Sequence, residues 1–227
     1  MMASRLDELA ARVLASVPGR SLEPDPDGPV GLAEETREQQ FVGLLQKLRV
    51  PKKYLGVTRA TALHPRLVGW VGEPWCVTLL GLAGTGKTWQ AVRLLAAVYE
   101  ADARRFTWAK YRSFYVDWST AIEQIKREFR SDERGVTFDE LCHAELLLID
   151  DFGAERETAF SMDQASLILR ARYNEQRPTI LTSNFPSLDP IAAAEPRIAS
   201  RLSEGIVLPI EGRDRRLPRP PRPEVVR

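Results

Sequence analysis

The sequence contains one run that fixes its architecture, Gly81-Leu82-Ala83-Gly84-Thr85-Gly86-Lys87-Thr88, which matches the pattern G-x-x-x-x-G-K-[ST] at every fixed position. The glycines allow the backbone of such a loop to curl, so that several N–H groups point inward at phosphate oxygens. Lys87 supplies a positive charge for the β- and γ-phosphates, and the Thr88 hydroxyl is a ligand for Mg²⁺. The run therefore predicts a phosphate-binding loop, with ATP and Mg²⁺ as its expected ligands.

The segments around this loop alternate between strand and helix patterns. Cys76–Leu80 is short, apolar and rich in β-branched residues, and residues 88–99 have helical spacing. Further strands are predicted over residues 105–110, 146–149, 179–182 and 206–210, with helices over residues 119–130 and 161–175. Such alternation is typical of an α/β fold in which a parallel sheet is flanked by helices on both faces.

A pair of acids follows the third predicted strand, in the run Leu146-Leu147-Leu148-Ile149-Asp150-Asp151. A nucleoside triphosphatase of this type needs an acid at the tip of a strand beside the loop, so Asp150 is predicted to hold Mg²⁺, directly or through water. Asp151 is predicted to orient and polarise the attacking water. Adjacent carboxylates repel each other, and a nearby cation makes the pair tolerable. The alternative is a solvated strand end without a metal.

Two further polar sites are candidates for catalysis. Asn184 follows the fourth predicted strand and could reach the γ-phosphate or the attacking water, or it could cap the turn before Phe185-Pro186. Arg197 and Arg201 stand at i, i+4 on a predicted helix and therefore share one face. A guanidinium there could stabilise the charge that develops in phosphoryl transfer, or it could belong to a solvated helix.

The composition indicates a soluble protein of the reducing cytoplasm. The 227 residues suit one medium domain with appendages, 44% of them are hydrophobic, and the net charge of +1 excludes a strongly basic surface overall. Two cysteines, Cys76 and Cys142, lie far apart without a C-x-x-C partner, which argues against a disulfide framework or a zinc site. The sequence contains no signal peptide and no apolar run long enough to cross a membrane.

The two ends of the chain are predicted to be appendages. Residues 4–17 and 33–48 have helical spacing and are separated by a Pro- and Gly-rich linker, and they could dock a partner protein or pack on the main domain. Residues 213–227 are rich in Arg and Pro and are expected to be poorly ordered. Near the second predicted strand, basic and aromatic residues could contact single-stranded DNA, although the aromatic ones could equally be core: Lys110, Tyr111, Arg112, Phe114 and Tyr115.

Several of these segments resemble the bacterial helicase loaders of the AAA+ ATPase class, which are DnaC-like, and their IstB-like relatives in transposition. The resemblance extends from about Val50 to Leu217. Beyond the phosphate loop it rests on residues 147–158 (LLIDDFGAERET), residues 171–184 (ARYNEQRPTILTSN) and residues 197–202 (RIASRL). Residues 210–212 with Arg216-Leu217 are similar to the terminal strand and last arginine of that family.

The resemblance implies an ATP site that is completed between neighbouring subunits of a homo-oligomer. Arg201 would reach into the next subunit's site, and Arg216 is the candidate for a second sensor of the nucleotide, with Arg213 and Arg215 nearby. The resemblance further implies weak ATP hydrolysis coupled to single-stranded DNA. Its target would be a replicative DNA helicase, which is loaded onto DNA, or a transposase, which is directed to target DNA. An adaptor that binds ATP with little turnover is a third possibility.

The expected organisation is a helical and linker region over residues 1–49, an AAA+ ATPase domain over residues 50–212 and a tail over residues 213–227. The first fifty residues resemble neither the long helical leader of the transposition relatives nor a zinc-bearing loader domain. A full C-terminal helical lid is not expected, because the chain ends soon after Leu217.

Overall fold

The computed structural model describes residues 30–102, 113–128, 136–153 and 159–216. Its centre is a parallel sheet whose five strands stand in the order β2-β3-β4-β1-β5. The strands are β1 (Cys76–Leu80), β2 (Phe114–Asp117), β3 (Leu147–Phe152), β4 (Thr179–Ser183) and β5 (Ile206–Pro209). Both β1 and β4 are buried along their whole length, as expected for a parallel sheet covered on both sides.

Helices connect and cover these strands. They are α1 (Val30–Lys47), α2 (Lys87–Ala101), α3 (Trp118–Glu128), α4 (Phe138–His143), α5 (Ala159–Asn174), α6 (Asp189–Ala194) and α7 (Pro196–Ser203). Two short 3₁₀ helices, Lys52–Tyr54 and Pro65–Leu67, lie between α1 and β1. None of the helices within the described ranges is both long and apolar enough to cross a membrane.

The core lies on both faces of the sheet, because successive side chains of a strand point to opposite faces. On one face, Leu79 and Leu148 pack with residues of α1 and α2, including Phe41 and Leu95. On the other face, residues of β2, β3 and β4 pack with α3, α5 and α7, including Ile149, Leu181, Ile122, Ile168 and Ile198. The predicted α/β fold with helices on both faces is confirmed.

This strand order places the polar residues of three strands together. Because β1 lies between β4 and β5, and β3 lies on the other side of β4, the loops that leave the carboxyl ends of β1, β3 and β4 share one edge of the sheet. Ligands of open α/β sheets bind at that edge, where the connections diverge. The phosphate loop follows β1 directly, the acid pair ends β3, and Asn184 follows β4.

The predicted elements differ from the structure mainly between α2 and α3. The strand predicted over residues 105–110 lies entirely outside the described residues, and the strand that the structure describes after α2 is β2, which begins at Phe114. The short helices α4 and α6 were not predicted. The signal for α4 is a capping box, because Thr137 accepts a hydrogen bond from the Glu140 N–H and the Glu140 side chain accepts one from the Thr137 N–H.

The two ends of the described chain lie against the domain. Phe41, Leu45 and Leu48, in or just after α1, are buried in the same core as the sheet, so this helix packs on the main domain. The helix predicted over residues 4–17 lies outside the described residues. Residues 213–216 of the predicted tail are described, and there the Arg215 N–H donates a hydrogen bond of 3.0 Å to the Gly84 carbonyl, whereas residues 217–227 lie outside the described residues.

Candidate nucleotide site

The phosphate loop joins β1 to α2 through glycines in conformations that other residues rarely adopt. Gly81 has φ +140°, and a Cβ on it would collide with the carbonyl oxygen of Ile210. Gly86 has φ +100° and forms the N-cap of α2. The N-terminus of this 15-residue helix therefore opens into the loop, where its free N–H groups and its positive end favour an anion. The loop has the geometry of a phosphate cradle.

The Lys87 side chain is folded into this loop. Its ammonium donates hydrogen bonds to the carbonyl oxygens of Gly81 (2.7 Å) and Leu82 (2.8 Å), and to Oδ1 of Asn184 (3.0 Å). Burial lowers the pKa of Lys87, and the carboxylates of Asp151 and Asp150 act in the opposite direction. The ammonium group thus stands among neutral acceptors at the base of the loop, where an anionic ligand would gain most from it.

Asp150 is buried, and its carboxylate accepts hydrogen bonds from three hydroxyl groups. Its Oδ1 accepts from Thr88 Oγ1 (2.9 Å) and from Thr182 Oγ1 (2.6 Å). Its Oδ2 accepts from the Tyr115 hydroxyl (2.7 Å). The predicted metal ligands Thr88 and Asp150 are therefore in direct contact. Together they offer a hydroxyl and a carboxylate oxygen, which are the hard donors that Mg²⁺ takes in proteins.

Asp151 and Asn184 form the next layer of the site. The Asn184 Nδ2 donates to Asp151 Oδ1 at 3.0 Å while its Oδ1 accepts from Lys87, so the amide links the cation to the acid. Asp151 has φ +56°, a strained conformation for a residue other than glycine, and its N–H donates to Thr182 Oγ1 at 3.0 Å. Burial and the neighbouring Asp150 raise the pKa of Asp151, whereas Lys87 and Asn184 lower it.

Lys87, Thr88, Asp151 and Asn184 line a cavity of about 710 Å³, and Asp150 lies buried behind Thr88. Its wall includes Gly84, Gly86, Lys87, Thr88, Asp151 and Asn184, together with Lys53, Tyr54, Trp89, Arg215 and Arg216. This volume lies within the usual range for pockets that bind small molecules. The site therefore suits a magnesium nucleotide. The glycine loop, the helix N-terminus and the ammonium can bind phosphates, the hydroxyl–carboxylate pair can bind Mg²⁺, and the cavity is large enough for a small molecule.

The C-terminal described segment crosses the phosphate loop. Asp214 places its carboxylate against Gly84, close enough that a Cβ on this glycine would collide with it, and Asp214 Oδ1 accepts from the Arg216 N–H at 2.8 Å. Arg215 lies beside Gly86, and both Arg215 and Arg216 line the cavity. The structure therefore brings the sensor candidate Arg216 to the site together with Arg215.

Arg197 and Arg201 lie elsewhere, at a shallower cavity of about 460 Å³ on α5 and α7. The Arg201 guanidinium stands 5.7 Å from the centre of the Tyr173 ring, and its NH1 donates to the Arg197 carbonyl at 3.3 Å. The Tyr173 hydroxyl donates to Glu204 at 2.8 Å. The two arginines thus share one face of α7, as their spacing predicted, and within one chain Arg201 is separate from the phosphate loop.

Of the two alternatives for Phe114 and Tyr115, contact with DNA or burial in the core, the structure supports burial in the core. Both belong to β2 and are buried, and the Arg49 guanidinium covers the Phe114 ring at 4.8 Å. A ring enclosed in the core has no free face on which a base could stack. The other members of that cluster, Lys110, Tyr111 and Arg112, lie outside the described residues.

Sequence reasoning missed several residues of the site. Tyr115 and Thr182 bind Asp150, and Lys53, Tyr54, Trp89 and Arg215 line the cavity. Thr182 lies in a predicted strand that ends beside the site, which is a signal that could have identified it. Tyr115 could be found only from the pairing of β2 with β3, in which Tyr115 stands opposite Leu148 and Asp117 opposite Asp150.

Comparisons with known proteins agree with this geometry. The model of a family described as IstB-like ATP binding protein matches residues 61–190, more than half of the chain. Among solved structures, the chain is similar to the DnaC helicase loader, with a TM-score of 0.58 and 23% identity over 71% of this chain and 100% of that one. No curated protein sequence matches the chain significantly.

Two other solved structures are more distant. Domain III of the Thermotoga maritima replication initiation protein DnaA has a TM-score of 0.50 and 14% identity over 81% of this chain and 63% of that one. DnaI has a TM-score of 0.45 and 23% identity over 85% of this chain and 88% of that one. At such identities the likeness to the DnaC loader concerns the fold, and it confirms the predicted P-loop fold of the AAA+ class.

Proposed function

This chain belongs to the family of IstB-like ATP-binding proteins, and on that premise we propose that it is a magnesium-dependent ATPase that loads a replicative DNA helicase onto single-stranded DNA. The observation that carries the proposal is the meeting of Lys87, Thr88, Asp150, Asp151 and Asn184 at the carboxyl ends of three adjacent strands. A phosphate cradle, a hydroxyl–carboxylate pair and a second acid at one site suit a nucleotide bound with Mg²⁺.

In the proposed reaction the loop and Lys87 hold the phosphates. Residues 81–88 surround the triphosphate with N–H groups, and the Lys87 ammonium exchanges its present carbonyl partners for phosphate oxygens. Thr88 and Asp150 would hold Mg²⁺, which neutralises charge on the β- and γ-phosphates when it is bound. Phosphoryl transfer depends mostly on such positioning and charge stabilisation, so these residues account for binding and for part of the rate.

Asp151 is the proposed general base and Asn184 its partner. The Asp151 carboxylate lines the cavity and could accept a proton from a water that attacks the γ-phosphate. The Asn184 amide fixes the carboxylate through the 3.0 Å hydrogen bond, and it would respond to the phosphates through its contact with Lys87. Arg216 is proposed as the second sensor, because it lines the same cavity.

Arg201 is proposed to act on the ATP site of a neighbouring subunit. It lies in a separate cavity of the same chain, on an exposed helix face, and Tyr173 supports its guanidinium. A guanidinium supplied in trans stabilises the charge that develops during phosphoryl transfer. The protein would then be a homo-oligomer in which each ATP lies between two subunits, so that nucleotide state controls assembly around single-stranded DNA.

The domain organisation proposed with this function follows the sequence. Residues 50–212 form the ATPase domain, residues 1–49 are a helical and linker region, and residues 213–227 form a tail. Helix α1 lies in the C-terminal part of the region 1–49, and its packing on the core supports a direct attachment of this part to the ATPase domain. We place the protein in the cytoplasm, where replication proteins of bacteria act.

The match to the IstB-like family favours a second candidate, an ATPase that selects target DNA and activates a transposase. The two candidate functions share the ATP site and differ in the partner protein, which is a helicase in the first and a transposase in the second. The discriminating feature is therefore the partner, not the chemistry.

The test is binding of purified partners to an ATP-trapped form. The Asp151→Asn variant is incubated with ATP, Mg²⁺ and single-stranded DNA, and its complex with the replicative helicase of the same genome is measured by size-exclusion chromatography with light scattering. A transposase from that genome is tested in parallel, and Lys87→Ala is the control that lacks nucleotide. An ATP-dependent helicase complex supports the loader. A complex with the transposase alone supports the second candidate. Absence of both complexes, together with little ATP turnover by the wild type, indicates a nucleotide-gated adaptor.

A further inference from the structure

The structure assigns a role to Tyr115, a residue that lies on the edge strand β2, outside the phosphate loop and the acid pair. We propose that Tyr115 is a positioning residue, which locks the Asp150 carboxylate in the orientation needed to hold Mg²⁺ beside Thr88. The proposal rests on the function proposed above, because it concerns the same metal site. It adds a requirement that none of the sequence motifs contains.

The hydrogen bonds of Asp150 explain why a third hydroxyl matters. Thr88 and Thr182 both donate to Oδ1, at 2.9 and 2.6 Å, and among the described residues Oδ2 accepts from the Tyr115 hydroxyl alone, at 2.7 Å. Hydrogen bonds to one oxygen alone restrain a carboxylate only in part and leave it some freedom to rotate about its Cβ–Cγ bond. Fixing both oxygens removes that rotation, so Oδ1 stays directed at Thr88.

Tyr115 is itself held on three sides. Its N–H donates to the Leu48 carbonyl at 2.8 Å, on the outer edge of the sheet, and β2 pairs with β3 on its inner edge. Its ring lies 6.3 Å from the Tyr54 ring, between centroids, and both side chains are buried. The hydroxyl therefore reaches Asp150 from a rigid position, as a positioning group must.

Burial makes this hydrogen bond consequential. Tyr115 is 5% exposed and Asp150 is 1% exposed, so water has little access to replace a lost hydroxyl. A buried acceptor that loses its donor is costly, and the carboxylate is expected to relieve that cost by turning towards other donors. Groups that hold metal ligands in place commonly contribute about 10- to 100-fold to metal affinity or activity.

The experiment measures how ATP binding depends on Mg²⁺. Affinity for a fluorescent ATP analogue is determined by anisotropy across a Mg²⁺ titration, and in EDTA, for wild type and Tyr115→Phe. The expected result is unchanged affinity in EDTA and a shift of the Mg²⁺ midpoint to a concentration about 10-fold higher. The ATPase rate of the variant should be restored by raising Mg²⁺.

The matched control is Tyr99→Phe, which removes a hydroxyl from another tyrosine of the same core, near the far end of α2. It should leave the Mg²⁺ midpoint unchanged, and circular dichroism melting checks that both variants fold. Superimposed Mg²⁺ curves for Tyr115→Phe and wild type would overturn the positioning role. Equal losses of affinity with and without Mg²⁺ would also overturn it, since they indicate a general effect on the pocket. Failure of the proposed function is distinct, because wild type itself would then bind no nucleotide.

Discussion

At the scale of single residues, the site depends on a chain of contacts from Lys87 through Asn184 to Asp151. Asn184 is the only residue of the three that carries both a donor and an acceptor on its side chain, and it uses both. The alternative in which Asn184 only caps a turn does not account for these two contacts. A displacement of Lys87 when phosphate binds would therefore be transmitted to Asp151 through the Asn184 amide.

Replacing Asp151 by Asn is predicted to separate binding from turnover. The amide keeps the shape of the side chain but cannot accept a proton, so ATP hydrolysis should fall about 100-fold or more. ATP affinity should change by less than about threefold, because the loop, Lys87 and Thr88 are intact. Phosphate release and calorimetric titration measure the two quantities, and normal turnover would remove Asp151 from its proposed role.

The residues of the loop and the acid pair could be predicted from the sequence, because their spacing along the chain is itself the signal. Tyr115 could not be predicted in this way, since the contact with Asp150 spans 35 residues and depends on which strand pairs with β3. The same limit applies to Asp214 and Gly84, whose contact is made only when the end of the chain folds back over the loop.

At the scale of elements, Arg172 fastens α5 to its surroundings. It is fully buried and donates to the carbonyls of Leu141 and Ala144, at and just beyond the end of α4. It also donates to the Pro178 carbonyl and to Thr179 Oγ1 at the start of β4. Burial, together with the nearby positive charge of Arg177, lowers the pKa of Arg172 to about 9. The cation is thus satisfied by neutral oxygens.

Replacing Arg172 by Met is predicted to destabilise the fold. The methionine fills part of the space but leaves four buried acceptors without this donor, so the free energy of unfolding should fall by about 3 kcal/mol. Urea unfolding measures the loss. The control is Arg170→Met, which alters an exposed arginine of the same helix and should change the free energy by less than about 0.5 kcal/mol. Equal values for the two variants would contradict the fastening role.

Element prediction succeeded for the long helical pattern and for the apolar strands that precede a recognisable motif, and it did not locate β2. The pattern over residues 161–175 became α5, and the apolar runs before the loop and the acids became β1 and β3. By contrast, β2 has four residues, and its aromatic side chains were as compatible with DNA stacking as with burial. Only the tertiary fold, which encloses Phe114 and Tyr115, decides between the two.

At the scale of the whole molecule, the position of Arg201 predicts complementation between subunits. Arg201→Ala and Asp151→Asn should each lose ATPase activity. The first variant lacks the guanidinium that acts on the neighbouring subunit, and the second lacks the proposed general base. Mixing the two should restore part of the activity, since an intact Arg201 from one chain can then meet an intact Asp151 in another. Activity is measured against mixing ratio, with cross-linking as evidence of co-assembly. Co-assembly without recovery would place Arg201 outside the reaction.

The proposed function depends on the binding of a magnesium nucleotide by the phosphate loop. The most direct measurement is isothermal titration of the folded chain with a slowly hydrolysed ATP analogue in the presence of Mg²⁺, beside Lys87→Ala at the same concentration. We expect saturable binding with one nucleotide per chain in the wild type. In Lys87→Ala the affinity should be at least about 100-fold weaker, because the bound triphosphate no longer contacts the buried ammonium of Lys87. Absence of binding to well-folded wild-type protein, or equal affinity of the two chains, would contradict the proposed function.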